Sequence, residues 1–254
     1  MKVSAAEILK DFPRGDTCPG VSRLTASLLL DFFGREGKFT LLDLPCGSGQ
    51  ISVALKDLFP LADIFSADFK PCVLSNQSDK TASTYHYIRL DASSGTLPFG
   101  ENLFDVVLVI SGIAEFGNRD AFLSEVYRIL KPGGYLFISN DNQFTVRDRF
   151  LYLLSGRTRS SRANLENIDS TWRTLPAPQL IKMLGRSGFY QERIIYTKPK
   201  VTELLFFPFA APLMLSQFLN NLTEGIASQS IWRKIWQPIS FFSRHYLVVC
   251  RKNP

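Results

Sequence analysis

Three acids, Asp43, Asp68 and Asp91, each close a short apolar run of this chain. A carboxylate in such a place accepts from hydroxyls and amines and attracts a cation. Two glycines, Gly47 and Gly49, follow the first acid in "DLPCGSGQ". Glycine lets backbone approach a ligand closely and takes φ values other residues avoid. Asp68 follows the glycines by roughly 20 residues, the separation at which an acid reaches ribose hydroxyls. The set suits a ligand carrying a nucleoside. A fourth run ends in Ser111 and Gly112, with Glu115 just beyond. Position 52 is Ser, so the G-x-G-x-x-G pattern of dinucleotide sites is not met. Pro45 fixes φ near roughly −65° and lacks an N–H, so that residue can give a ligand no backbone hydrogen bond.

The elements that must hold these residues alternate. Apolar runs predict strands at 39–44, 62–68, 85–91, 104–111, 135–140, 189–197 and 244–252. Helical spacing predicts helices at 20–37, 49–59, 120–130 and 177–188, with "KPGG" stopping the third. The run "FDVVLVIS" is apolar throughout, as a strand covered on both faces should be. The expected fold is therefore α/β and Rossmann-like. It is a doubly wound, mostly parallel seven-stranded sheet with helices on both faces and an apolar insertion before the last strand. The expected divisions are N-terminal helices at 1–38 covering the cofactor site, a core at 39–197 and 244–254, an Arg-rich substrate-side insertion at 141–176, and an apolar lid at 198–243.

Composition narrows the class. The chain has 254 residues and a net charge of +6, which permits anionic partners without demanding them. Its four cysteines form no C-x-x-C pair, so neither a disulfide framework nor a zinc cluster is expected, and no metal is. The opening "MKVSAAEILKDF" lacks the apolar core of a secretory leader and reads as a short amphipathic helix. A cytoplasmic protein is expected, with peripheral contact to a membrane left open.

"LLDLPCGSG", "SADFKP", "RLDASSGTLPF", "FDVVLVISGIAEF", "EVYRILKPGGYLFIS" and "LIKMLGRSGF", in that order, resemble the landmarks of the class I S-adenosylmethionine-dependent methyltransferases. The resemblance is to the small-molecule and lipid type related to quinone-biosynthesis enzymes, and it covers 39–140, 177–197 and 244–252. It implies S-adenosylmethionine as cofactor and a site made of Asp43, Pro45, Cys46, Gly47, Gly49, Asp68, Phe69, Asp91, Ala92, Ile110 and Ser111. Asp43 would orient the loop and the amino group, and Gly47 and Gly49 would let backbone approach the methionine part. Asp68 would accept from both ribose hydroxyls, and Phe69 would lie on the adenine. Asp91 and the Ala92 backbone would meet the base, and Ile110 and Ser111 would line the wall below the sulfonium. Asp43 is equally able to cap a helix, Asp68 and Asp91 suit turns, and Cys46 suits packing.

The expected reaction is O- or C-methylation of a small or lipid-like acceptor by in-line displacement, in which the protein's task is alignment and exclusion of water. Expected acceptor-side residues are Glu115, Arg147, Trp172 and Arg173. No general base is named; His86 and His245 read as structural. Arg147, Arg149, Arg157, Arg159 and Arg162 form either a solvated basic loop or a clamp for an anionic group. The apolar segments 203–219 and 230–242 are proline-broken and short for a span. Three readings stay open for them: a lid buried on the core, a pocket for an apolar acceptor, and a membrane-surface contact. Two other functions stand beside the main one: a non-catalytic module of this fold that binds a protein, and nucleic-acid methylation. The latter is disfavoured because "ISGIAE" stands where an N-P-P-Y-type motif would be.

Overall fold

The computed structural model of the chain describes residues 5–15, 20–71, 86–156, 175–223 and 235–254. Among the described residues, seven strands make one sheet: β1 (Thr40–Asp43), β2 (Asp63–Asp68), β3 (His86–Arg89), β4 (Phe104–Val109), β5 (Leu130–Asp141), β6 (Tyr190–Tyr196) and β7 (His245–Arg251). Their order is β3-β2-β1-β4-β5-β7-β6, and β7 runs antiparallel to both neighbours. The chain order thus reverses between β1 and β4, and clefts open at such a switch point.

Alternate residues of each strand face opposite layers. Leu42, Val107, Val109, Leu136, Ile138 and Val248 pack against α4 (Arg119–Ile129) and α6 (Ala177–Arg186). Leu41, Val106, Leu108, Phe137, Leu247 and Val249 pack against α2 (Val21–Phe33) and α3 (Gln50–Leu58). The unbroken apolar run of β4 follows from this: it is covered on both sides. Helix ends sit where local chemistry places them. The Asn118 side chain accepts from the Ala121 N–H at 3.1 Å and starts α4. Gly34, at φ 66°, ends α2 well before the expected 37. β4 stops at Val109 rather than 111 because Ser111 turns to φ 60° and leaves the extended conformation. β5 starts at Leu130, beside Phe104, so "KPGG" lies within a strand with a register shift instead of ending a helix in a loop.

After α1 (Ala5–Lys10), α2 lies on the sheet face, and no described residue of 1–38 lines the cleft at the switch point. Gly15 comes close to it: an added Cβ there would stand 2.9 Å from the side chain of the cleft residue Ile51.

The two late segments, expected as separate pieces, share one small core. α5 (Val146–Ser155) comes from the first; α7 (Val201–Leu204) and α8 (Phe207–Thr223) come from the second. Val146, Ala210, Phe241 and Phe242 pack together, with Phe206, Leu213, Met214 and Trp236 around them. Asn142 donates to the Ser240 and Ser243 carbonyls at 2.6 and 2.7 Å. The buried Glu203 accepts from Arg244 Nε at 2.6 Å and Arg147 at 3.3 Å. No described helix is long and apolar enough to cross a membrane.

Candidate functional site

A cleft of about 510 Å³ opens at the carboxyl ends of β1, β2 and β4. Residues 45–48, 68–71 and 110–112 line it, with Asp43 and Ile51 at the back and the exposed Glu115 at the mouth.

The loop after β1 folds on itself through backbone. The Cys46 N–H donates to the Ala67 carbonyl at 2.9 Å, and the Gly49 N–H to the Cys46 carbonyl at 3.0 Å. Gly47 and Gly49 take φ 54° and 79°, a region in which a Cβ is strained. Asp68 joins the two strand ends: one carboxylate oxygen accepts from the Gly47 N–H and the other from the Lys70 N–H, each at 2.9 Å. A carboxylate offers about four lone-pair positions, so each oxygen can still take a ligand hydroxyl. Asp43 is 1% exposed and accepts from the Ser52 hydroxyl at 2.7 Å. Burial pushes its pKa up to about 7; Ser52 pulls it down in part, and the Asp68 charge adds to the rise. Cys46 is buried beside Val53 and Tyr87, a packing role.

Pro45 is tied to the far wall. A Cβ on Gly112 would stand 2.2 Å from the Pro45 ring, so glycine at 112 is what lets β4's end close on the loop. The next residue back, Ser111, is held at its positive φ by its N–H bond to the Ser139 hydroxyl at 2.9 Å. Ile110 is buried beneath it. Phe69 is 60% exposed, with the Arg89 guanidinium 6.0 Å from its ring and Arg89 Nε donating to its carbonyl at 3.1 Å.

Other expected site residues fall elsewhere. Asp91 caps the short turn Ala92–Ser94 by accepting from the Ser93 N–H at 2.9 Å; neither Asp91 nor Ala92 lines the cleft. Arg147, expected to clamp an anionic substrate, is engaged by Glu203 instead, because a buried carboxylate demands a cation. Arg149 is likewise taken up, 5.1–5.8 Å from the rings of Phe144, Trp236 and Phe241, with its pKa lowered by burial. Trp172, Arg173, Arg157, Arg159 and Arg162 lie outside the described residues. His245 bonds Asp141 at 2.8 Å, and His86 stacks on Phe65 with centroids 4.5 Å apart.

Sequence reasoning missed Ser52, Lys70, Gly112 and Ser139. Ser52 was visible as the residue that breaks the dinucleotide pattern; it is also the donor to Asp43. Gly112 needed its partner Pro45, which lies 67 positions earlier and carries no local signal. Among the described residues, no group of acids, histidines and cysteines could hold a metal ion. The cleft sets two carboxylates at its back, a ring on one wall and an apolar floor. That suits a ligand with a cationic centre, vicinal hydroxyls and a flat base.

Comparison with known proteins agrees with this reading. A family model described as a methyltransferase domain matches residues 42–138. A demethylmenaquinone methyltransferase of Thermus thermophilus is 30% identical over 165 residues, 59% of this chain and 73% of that one. A ubiquinone/menaquinone biosynthesis C-methyltransferase of Cereibacter sphaeroides is 31% identical over 143 residues, 55% of this chain and 56% of that one. In fold, the chain is similar to the Burkholderia thailandensis 1,6-didemethyltoxoflavin-N1-methyltransferase solved with S-adenosylhomocysteine. The TM-score is 0.56 and the identity 12%, over 92% of this chain and 79% of that one.

Proposed function

The chain belongs to the class I S-adenosylmethionine-dependent methyltransferases related to quinone-biosynthesis enzymes, and we propose from this that it methylates a ring carbon of a small quinone-like acceptor. Neither nucleic-acid methylation nor a non-catalytic role is favoured by the relatives. The observation that carries the reading is Asp68, which bridges the Gly47 and Lys70 amides at the switch point and keeps lone pairs turned to the cleft.

The residues present fit the cofactor. Asp68 would accept from the ribose hydroxyls by charge-assisted bonds. The exposed ring of Phe69, braced by Arg89, would take the adenine. Gly47 and Gly49 keep side chains out of the path of the methionine part. The Asp43 carboxylate stands behind the loop as counter-charge to the amino group. Asp91 and Ala92, the residues expected at the base, do not line the cleft; Asp91 caps the turn that follows it. Cys46 and Pro45 shape the loop, and the proline has no N–H to give.

When bound, the cofactor supplies an electrophilic methyl group on a sulfonium. The chain's own work is positional. Ile110 and Ser111 form the wall along which the acceptor slides, with Ser111 fixed by Ser139. A quinol ring carbon becomes nucleophilic when its neighbouring hydroxyl gives up a proton. Glu115, the exposed carboxylate at the cleft mouth, is the group we assign to receive it. The ring carbon would bond to the methyl group as the methyl–sulfur bond breaks, with the electron pair staying on sulfur; the methylated carbon would then lose its hydrogen as a proton and the ring regain its aromaticity.

The test uses the full chain, methyl-labelled S-adenosylmethionine and demethylated benzoquinols and naphthoquinols. Label on a ring carbon is expected, read by mass spectrometry. Label on oxygen, or no label with cofactor binding intact, overturns the quinone reading.

A further inference from the structure

α8 carries no charged residue over its 17 positions, yet among the described residues protein covers only one side of it. Ala210, Leu213 and Met214 turn into the small core shared with α5. The opposite side leaves Phe207, Phe209, Leu215, Phe218 and Leu219 exposed. α7 and the turn after it add Leu205 at 74% exposure, and the last turn of α5 adds Leu153 at 79%. Exposed apolar side chains of this size mark an interaction site.

The charge around this face has one sign. Among described residues 198–223, the charged side chains are Lys198, Lys200 and Glu203. Glu203 is 1% exposed and closed off by Arg147 and Arg244. What faces outward beside the apolar surface is therefore the exposed Lys198 and Lys200. A second copy of the chain, paired by a two-fold axis, would set these lysines near their own equivalents. An anionic bilayer surface would neutralise them.

We propose that the outer face of α7 and α8, with the last turn of α5, docks on an anionic lipid bilayer. The α5 segment leaves the sheet at the carboxyl end of β5. The α7–α8 segment leaves β6 and enters β7 at that same edge, the edge at which the cleft opens. Docking there brings the cleft mouth toward the lipid, so an acceptor dissolved in the bilayer has a short path to it. The docking itself does not rest on the acceptor's identity.

The test is flotation of the full chain with phosphatidylcholine vesicles and with vesicles containing phosphatidylglycerol, with neither cofactor nor acceptor present. The chain is expected to float with the anionic vesicles, at least tenfold better than with neutral ones at low salt, and to be released as salt rises. Leu153→Asn, Leu205→Asn and Phe218→Asn together should cut flotation at least tenfold. Lys198→Glu with Lys200→Glu should erase the preference for anionic lipid. Unchanged cofactor affinity in both sets shows that the core still folds. A chain that stays at the bottom with every vesicle overturns the proposal. So does an apolar variant that floats as well as the parent, or a parent that sediments as a dimer broken by the same substitutions.

Discussion

The cleft and the outer helices are built from opposite materials. Around the cleft, polar atoms fix the backbone: Asp68 bridges two amides, Ser52 holds Asp43, and Ser139 pins Ser111. Around α8, apolar side chains outnumber the partners they have, and one ion-pair node, Glu203, anchors the assembly. The first region is specified by directional bonds at fixed spacing. The second is held mostly by non-directional burial, with Glu203 and the Asn142 amide among its polar ties. A cleft that must hold one ligand needs the former, and a surface that meets a fluid partner tolerates the latter.

The contrast breaks first at Asp68. Asp68→Ala removes the acceptor of two amides and the contact proposed for the ribose, and should weaken cofactor binding about 100-fold, or about 2.7 kcal/mol. Calorimetry reads it, and an unchanged affinity would place the ribose elsewhere. Vesicle flotation should not change in this variant, since the outer helices are untouched.

Gly112→Ala comes next. Its Cβ would overlap the Pro45 ring, so a cost of about 2 kcal/mol is expected from overpacking. Pro45→Gly added to it should recover much of that loss, because the clash needs both residues. Thermal denaturation of the two single variants and the double variant gives the coupling; strict additivity would mean that the loop and β4's end do not meet.

Glu203→Gln tests the other region. It leaves the Arg147 and Arg244 guanidiniums without their carboxylate, both partly hydrated, so a cost of roughly 1.5 kcal/mol is expected. Hydrogen exchange should rise in α7 and α8 while cofactor affinity holds. Equal protection in both proteins would show that the small core alone holds these helices.

The same contrast explains what could be read from the chain. The sheet and the acids at its strand ends were legible because short continuous apolar runs, glycines and acids at set offsets each have a local cause. Asp43, Gly47, Asp68 and Phe69 all come to one cleft, while Gly49 shapes its loop without lining it. Long-range pairs were not legible: Gly112 with Pro45, and Arg147 with Glu203, which is 56 positions away. The arginines looked like a clamp because arginine carries the same sign whether it meets substrate or a buried glutamate. The two late segments looked unrelated because one is polar and the other apolar, yet Val146 and Ala210 share a core. Apolar sequence alone does not say which side of a helix is covered.

The effect spread most thinly is a pH dependence, at most about 1.4 kcal/mol in each pH unit, and it belongs to the cleft alone. Burial holds the Asp43 carboxyl at about 7, against an ordinary 3.8. Between those values the folded chain binds a proton that the unfolded chain has released. Stability of the cofactor-free chain should therefore fall as pH rises from about 4 to 7, by no more than about 1.4 kcal/mol per pH unit from this group. Cofactor binding runs the other way. A cationic ligand favours the ionised carboxylate, so affinity should climb with pH toward 7, no more steeply than about tenfold per unit, and then level off. Asp43→Asn, which keeps an acceptor for Ser52 but cannot ionise, should flatten both curves. Melting temperature and calorimetric affinity at matched pH values check this. A variant that keeps the parent's slope in both would move the titration, and with it the counter-charge for the amino group, away from Asp43.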